Sequence, residues 1–349
     1  MDDTIQKKAI IIGAGIAGLS LAVRLQSKGI QVSVFEANTY PGGKLTEFSK
    51  KGYRFDMGPS LFTMPQFVEE LFSISNKNIN HYFSYKKKET VCHYFYKDGT
   101  FFKASSDTDT FSSDAANIFD VKKNTIDNYF KKSKKKYELT SSLFLEKSLH
   151  KISTYLSKDT LKAIFNVRNL DINISLHEYN TSNFDDPKLI QLFDRFATYN
   201  GSSPYLTPGI MSMIPHLEQY YGTFFPKGGM HSITESIHKL AQDLGVHFYF
   251  NSTVNRIHIE NQIAVGISVN SKDFYGDFII SNSDVVPTYK NLIKDQKPPL
   301  KTLKQPRSSS ALIFYWGIKK EFPSLDLHNI FFSDNYEKEF TYIFEKKKV

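Results

Sequence analysis

The sequence contains one cysteine, one tryptophan and no apolar stretch long enough to span a bilayer. Cys92 cannot form an internal disulfide, and no Cys/His spacing resembles a zinc site, so a disulfide-stapled or metal-organised protein is excluded and a reducing compartment is expected. The uncharged stretch Ala9–Val23 is shorter than the roughly 20 residues of a membrane helix, and three glycines interrupt it. The sequence therefore predicts neither a signal peptide nor an integral membrane protein.

The sequence is rich in apolar residues and has an excess of basic residues. Hydrophobic residues make up 40% of the 349 residues, which is enough for a sizeable core and excludes a disordered chain. Lysine and arginine exceed the acidic residues, for a net charge of +8, and there are 30 phenylalanines and 20 tyrosines. This combination indicates a hydrophobic ligand and a location near an anionic surface. Nucleic acid is not expected, because no RNA- or DNA-binding motif accompanies the basic residues.

The amino-terminal region has the pattern of a dinucleotide-binding unit. A short apolar strand, Ala9–Ile12, leads into a turn with Gly13, Gly15 and Gly18, and a helical pattern then runs to Gly29. The first glycine permits a tight turn, the second lets the backbone approach a pyrophosphate, and the third lets helix and strand pack closely. The positive end of the helix dipole then faces the phosphates.

An acidic residue and a second glycine loop complete this unit. Glu36 ends the next strand, Val32–Phe35, where a carboxylate accepts hydrogen bonds from an adenosine ribose and repels a 2′-phosphate, which argues against NADP. The following Pro-Gly-Gly-Lys loop brings backbone and a cation back over the pyrophosphate. The residues predicted to hold this half of the cofactor are Gly13, Ala14, Gly15, Gly18, Glu36, Ala37, Gly43 and Lys44.

Four parts of the sequence together resemble the flavoprotein amine-oxidase superfamily. They are the loop Pro41–Lys44, the segment Tyr53–Ser60, the Gly-Gly turn in Phe225–Met230 and the strand from Val254. That resemblance implies FAD as the cofactor. It also implies that the second Gly-Gly turn lies near the flavin and that the Val254 backbone touches the adenine. The further cofactor-binding residues implied in this way are Gly58, Pro59, Ser60, Gly228, Gly229 and Val254.

Other segments are similar to bacterial carotenoid desaturases of the phytoene desaturase type. They are Gly58–Pro65, Tyr199–Tyr205, Ser281–Asp284, Ser310–Gly317 and Leu327–Phe332. The Leu-Phe-Thr-Met-Pro and Leu-Asp-Leu-His-Asn stretches look closer to hydroxycarotenoid 3,4-desaturases. The resemblance implies FAD-dependent desaturation of a carotenoid such as phytoene or a 1-hydroxycarotenoid, in carotenoid biosynthesis. A flavin amine oxidase and a truncated, non-catalytic, membrane-associated homologue remain the alternatives.

These observations predict a two-domain α/β flavoprotein. A Rossmann-like FAD-binding domain with a mixed sheet is expected from residues 1–75 and 222–300. A substrate- and membrane-facing domain is expected from residues 76–221 and 301–349, with a β-sheet that includes a strand at Leu312–Trp316 and a helical lid. The spacing of apolar residues predicts amphipathic helix between Leu139 and Phe165.

Two polar features of the predicted substrate domain have alternative interpretations. Glu218 is a weak candidate for stabilising a cation or accepting a proton, or it is an exposed helix carboxylate. The cationic run Lys131–Lys136, flanked by Tyr129, Phe130 and Tyr137, is either a solvated helix face or a contact with an anionic bilayer. The second interpretation predicts a cytoplasmic protein peripherally associated with the cytoplasmic membrane.

The end of the chain departs from the family pattern. The sequence stops soon after Leu327–Phe332, whereas the resemblance implies a further Gly-rich stretch that closes the flavin site. The expectation is that the chain lacks this carboxy-terminal part and purifies with little bound FAD and little activity.

Overall fold

A computed structural model describes residues 6–144, 151–155, 170–294, 296–305, 307 and 310–346. The chain forms two compact units, each built from two segments. The first unit comprises Met1–Lys86 and Phe224–Pro306, and the second comprises Lys87–Thr223 and Arg307–Val349. The first boundary lies later than the predicted residue 75, because the Tyr85 ring packs on Phe62 and Phe224 of the first unit. The other two boundaries lie a few residues after the predicted 222 and 300.

The strands of the described residues are short, and they are distributed over both units. They are β1 Lys8–Ile12, β2 Gln31–Phe35, β3 Thr46–Lys50, β4 Tyr53–Met57, β5 Tyr85–Lys87, β6 Thr90–Phe95, β7 Phe101–Ser105, β8 Phe224–Pro226, β9 His247–Tyr249, β10 Val254–Glu260, β11 Ile263–Val269, β12 Lys272–Tyr275, β13 Phe278–Ser281 and β14 Asn329–Phe331.

The helices of the described residues are longest in the amino-terminal half of the chain. They are α1 Ile16–Gln26, α2 Gln66–Ile74, α3 Thr108–Ile118, α4 Lys123–Phe144, α5 Ile152–Tyr155, α6 Leu176–Thr181, α7 Pro187–Asp194, α8 Ile214–His216, α9 His231–Asp243, α10 Val285–Pro287, α11 Leu300–Leu303 and α12 Tyr336–Phe340. Among the described residues, no helix has the length and apolar character needed to cross a membrane.

The central sheet of the first unit has the strand order β13-β1-β2-β9, and all its pairings are parallel. The four residues Ala9–Ile12 are buried, as expected for a parallel strand covered on both faces. The α/β fold class is confirmed, but the prediction of a mixed sheet is wrong for this sheet. The antiparallel strands β10–β12 form a separate sheet, because tight turns at Asn261–Gln262 and Asn270–Ser271 pair them with one another.

Helix α1 packs on the parallel sheet and places the glycine turn at its amino end. Leu19, Ala22 and Val23 are fully buried, and they share one core with β1, β2 and Ile237 of α9. This packing holds the first turn of α1 at the carboxyl edge of the sheet, where doubly wound α/β folds bind their ligands.

The second unit has a core of aromatic side chains between a sheet and several helices. The sheet has the order β14-β6-β7, and Tyr94 and Phe102 on one of its faces are buried. Phe111 of α3 and Phe193 of α7 belong to the same cluster. The expected combination of a sheet and helices is therefore present in this unit.

The predicted strand Leu312–Trp316 is not formed. No strand is assigned between residues 310 and 318, and Leu312, Phe314 and Trp316 are 75%, 67% and 71% exposed. A strand requires a neighbour for its backbone N–H and C=O groups, and within the described residues no strand is paired with this stretch. Of the predicted helical region Leu139–Phe165, the structure describes the end of α4 and α5, and the rest lies outside the described residues.

The cationic run is divided by helix α4. Lys131, Lys132, Lys134 and Lys135 are exposed, whereas Lys136 is 2% exposed, and its Nζ lies 2.8 Å from an Asp171 carboxylate oxygen. The predicted aromatic flanks do not lie beside the exposed lysines at the surface. Tyr129, Phe130 and Tyr137 are all buried, since they lie on the face of α4 that packs into the core.

Candidate functional site

A cleft of about 970 Å³ lies in the first unit, at the carboxyl ends of β1 and β2. It is lined both by residues of the glycine turn and by loops from several other segments of this unit. The predicted cofactor residues among those lining it are Gly13, Gly15, Glu36, Ala37, Gly43, Lys44, Pro59 and Val254. The remaining predicted residues do not line the cleft: Ala14 and Gly18 are buried, and Gly58, Ser60, Gly228 and Gly229 lie next to the lining residues Pro59 and Met230 in sequence.

The glycine turn has the backbone geometry that phosphate binding requires. Gly13 has φ +98°, a conformation that disfavours a side chain, and its N–H donates to the Phe35 carbonyl at 2.8 Å. Gly15 precedes α1 in extended conformation and has no side chain to occupy the helix amino end. A pyrophosphate in the cleft would therefore meet backbone N–H groups and the positive end of the α1 dipole.

Asn282 is part of this turn, although no functional role had been predicted for it. Its Nδ2 donates to the Gly13 carbonyl at 3.2 Å, and it lies 2.7 Å from where a Cβ on Gly18 would be. Gly18 is thus required by the Asn282 amide as well as by helix–strand packing. The signal that could have revealed Asn282 is its position directly after β13, since carboxyl ends of parallel strands share one edge of a sheet.

Glu36 is held rigidly at the cleft wall by backbone donors. Its Oε2 accepts from the Ala14 N–H at 2.8 Å and its Oε1 accepts from the Asn38 N–H at 2.9 Å. The side chain is buried, yet the residue lines the cleft. Each carboxylate oxygen retains a further lone pair, so both can accept hydrogen bonds from a diol such as a ribose.

The Pro-Gly-Gly loop returns to the glycine turn, as the sequence predicted. The Gly42 N–H donates to the Ala14 carbonyl at 2.8 Å, and Gly42 and Gly15 form a parallel bridge. Gly43 has φ +58° and packs so closely that a Cβ there would lie 3.4 Å from the Gly15 Cα. This contact places the exposed Lys44 on the cleft wall, where its ammonium group provides positive charge.

A carboxylate joins strand β4, which precedes Gly58, to the start of α9, which follows Gly228 and Gly229. Asp56 of β4 accepts from the N–H groups of Met230 and His231, at 3.0 and 3.1 Å, at the start of α9. Burial opposes its ionisation, but these bonds and an ion pair with Arg54 lower the pKa of Asp56 below its ordinary value. A Cβ on Gly229 would collide with the Arg54 guanidinium, and the φ of +93° at this glycine also disfavours a side chain.

Glu218 lies in the interior of the second unit and is not among the residues lining the cleft. It is 2% exposed, so it is not an exposed helix carboxylate. Arg195 Nη2 lies 2.9 Å from its Oε2, and the Tyr199 hydroxyl donates to its Oε1. Burial opposes the guanidinium charge, but the charge of Glu218 raises the pKa of Arg195. Within the described residues, no group of three His, Cys, Asp or Glu side chains is arranged to hold a metal ion.

Comparison with known proteins identifies the family of this chain. Residues 16–311 match the profile of the flavin containing amine oxidoreductases. The chain belongs to this family. Its cofactor is FAD, as predicted, and the enzyme class, an FAD-dependent oxidoreductase, is confirmed. The residues described above fit the ribose and pyrophosphate of FAD, since backbone N–H groups could bind the phosphates and the Glu36 carboxylate could accept from the ribose. Val254 lines the same cleft, and its contact with the adenine stays a prediction.

Two relatives show which members of the family this chain is similar to. A 1-hydroxycarotenoid 3,4-desaturase from Flavobacterium sp. (strain P99-3) is 57% identical over 343 residues, covering 98% of this chain and 70% of the relative. A 4,4′-diapolycopene oxygenase from Methylomonas sp. is 30% identical and covers 100% of this chain and 70% of the relative. The predicted membership of the carotenoid desaturase group is thus confirmed.

Solved structures support the fold. An oxidoreductase from Methanosarcina mazei superposes with a TM-score of 0.56 at 21% identity, covering 82% of this chain. The present chain spans 61% of that protein. At this level of identity, the likeness shows a shared fold.

Proposed function

We propose that this chain catalyses FAD-dependent desaturation of a carotenoid, with a 1-hydroxycarotenoid as substrate. The observation that carries the proposal is the 57% identity, over nearly the whole chain, to a relative that bears this name. The cleft supports it, because its glycine turn, Glu36 and Lys44 provide the contacts that the FAD of such an enzyme needs.

In this proposal, the residues of the chain bind the cofactor and set its orientation, and they take no covalent part in the reaction. Desaturation removes a hydride and a proton from adjacent carbons, and FAD, when bound, provides the hydride acceptor while the proton leaves to solvent. The glycine turn, Glu36 and Asn282 fix the position of the cofactor, and Asp56, paired with Arg54, holds β4 against the start of α9. Glu218 is not assigned as the proton acceptor, because its carboxylate is paired with Arg195.

The experiment is a conversion assay in liposomes supplemented with FAD. We expect a 1-hydroxycarotenoid to gain one conjugated double bond, visible as a red shift of its absorption, with one flavin reduced per double bond under anaerobic conditions. Gly15→Val should abolish conversion, because the branched side chain would occupy the place where backbone meets pyrophosphate. The control is Lys272→Val, which places the same valine side chain on the exposed strand β12, outside the cleft.

The alternative activities are separate outcomes of the same assay. Oxidation of a primary amine with carotenoids unchanged would replace the proposal with an amine oxidase. If neither class reacts and the anaerobic flavin stays oxidised, the proposal of catalytic desaturation is wrong, and the non-catalytic homologue becomes the better description.

We further propose that the chain works at an anionic membrane surface, on the cytoplasmic face of the cytoplasmic membrane. A carotenoid is insoluble in water, so an enzyme that acts on it must reach it in lipid. The four exposed lysines of α4 support the proposal, since each lysine near an anionic surface contributes around 1 kcal/mol. The net charge of +8 acts in the same direction.

A further inference from the structure

The sheet of the second unit carries a row of phenyl rings on the face opposite its core. Phe331 of β14 is in register with Phe95 of β6, and Phe95 is in register with Phe101 of β7. The Phe331 and Phe95 rings stack with centroids 4.6 Å apart and planes at 11°, and the Phe95 and Phe101 centroids are 5.0 Å apart. Three strands thus place three rings side by side.

This row is unusual for the outer face of a sheet. Phe331 is 67% exposed and Phe101 is 42% exposed, whereas Tyr94 and Phe102, on the other face of the same strands, are buried. A sheet with one face on a core normally carries polar residues on the other face. Contiguous exposed apolar surface of this kind marks a site of interaction rather than a solvated face.

The row borders a cleft that has a charged end. The cleft, of about 450 Å³, is lined by Phe95, Phe331 and the residues that follow each in sequence, including Lys97 and Asp334. Lys97 and Asp334 form an ion pair just beyond the carboxyl ends of β6 and β14. An apolar platform therefore ends at a hydrogen-bond donor and an acceptor.

We propose that this cleft binds the hydroxylated end of a polyene, and this inference rests on the proposed function. A conjugated chain is flat and stiff, so it stacks on the phenyl row while losing little conformational entropy. The terminal hydroxyl group accepts from the Lys97 ammonium group and donates to the Asp334 carboxylate. The phenyl row holds any polyene, and the ion pair selects one that carries a hydroxyl.

The first test measures binding without turnover. Phe331→Ala and Phe101→Ala are made in the full chain, and the dissociation constant for a 1-hydroxycarotenoid in detergent micelles is read from the shift of its polyene absorption. We expect binding to weaken about tenfold in each variant, because each loses one ring of the phenyl row. Phe67→Ala, a similarly exposed phenylalanine of α2, is the control and should leave binding unchanged.

The second test addresses the hydroxyl group. Lys97→Met keeps the length of the side chain but removes the donor, so it should weaken binding of the hydroxylated carotenoid and not of the same carotenoid without the hydroxyl. Equal weakening for both ligands, or for neither, would overturn the role of the ion pair.

The outcomes separate this inference from the proposed function. Wild-type conversion together with unchanged binding by the phenylalanine variants would refute the cleft while leaving the desaturase intact. Absent conversion together with weakened binding by those variants would refute the desaturase and retain the cleft. Thermal melting of each variant checks folding; a variant that melts like the wild type and binds as tightly counts against the cleft.

Discussion

At the scale of single residues, the glycine turn depends on a side chain from a distant segment. The roles of Gly13, Gly15 and Gly18 follow from local rules, and the structure places all three as those rules require. Asn282, which follows β13, also limits which residues the turn can contain. Its amide donates a hydrogen bond to the Gly13 carbonyl and fills the space beside Gly15 and Gly18. We therefore regard Asn282 as a residue that positions the turn for the cofactor.

Asn282→Asp should weaken FAD binding by about tenfold or more. The substitution keeps the shape of the side chain, removes the N–H donor to the Gly13 carbonyl and places a negative charge beside the pyrophosphate site. The measurement is a titration of FAD fluorescence, which differs between the free and bound cofactor. Asn270→Asp, in an exposed turn outside the cleft, is the control, and equal affinity of the two variants for FAD would contradict the role of Asn282.

At the scale of elements, helix α4 divides its lysines between the surface and the interior. Four of its lysines face solvent, while Lys136 is buried beside Asp171 and its Nζ lies 3.4 Å from the centre of the Tyr179 ring. Burial lowers the pKa of Lys136, and the nearby carboxylate opposes that shift. Five lysines within six residues of sequence thus become two classes of residue, exposed and buried, once the helix packs on the core.

Replacing Lys131, Lys132, Lys134 and Lys135 with glutamine should weaken the affinity for anionic vesicles by on the order of a thousandfold, since four surface charges of about 1 kcal/mol each are lost. Binding of the wild type should also fall as salt rises, because exposed charges are screened within about 8 Å at physiological ionic strength. Vesicle binding that is identical in the quadruple variant would mean that these lysines only solvate the helix.

The control for that experiment is Lys136→Gln, which leaves the exposed lysines in place. It should lower the free energy of unfolding by about 1.5 kcal/mol, because it removes the ion pair between the buried ammonium group and the Asp171 carboxylate, which is itself 30% exposed. Its vesicle binding, measured well below its melting temperature, should match that of the wild type.

At the scale of the whole molecule, the two compact units should respond differently to the cofactor. FAD at a hundredfold its dissociation constant stabilises the form that binds it by about 2.7 kcal/mol. Hydrogen exchange with and without FAD should therefore slow at Ile12–Ala17, Phe35–Leu45 and Ser252–Val254, which line the cleft. Exchange at β6 and β7 of the second unit is the internal reference.

Adenosine diphosphate gives a matched comparison for this exchange experiment. It contains the half of FAD that the glycine turn and Glu36 are built to hold, so it should protect those segments. Pro59, Leu61 and Phe62 also line the cleft, and their segment should gain protection with FAD only. The same protection by both ligands at Pro59–Phe62, or none at Ile12–Ala17, would contradict this placement of the cofactor.

The sequence by itself determined the parts of this protein that depend on local rules. The strand–glycine–helix unit, Glu36 at the end of β2 and the return of Gly42–Lys44 were all predictable, because backbone conformation and short spacings decide them. Tertiary structure decided what depends on distant partners. Asn282 reached the turn through the pairing of β13 with β1, Glu218 and Lys136 became buried ion pairs, and Leu312–Trp316 formed no strand, because a strand needs a neighbour that its own residues do not specify.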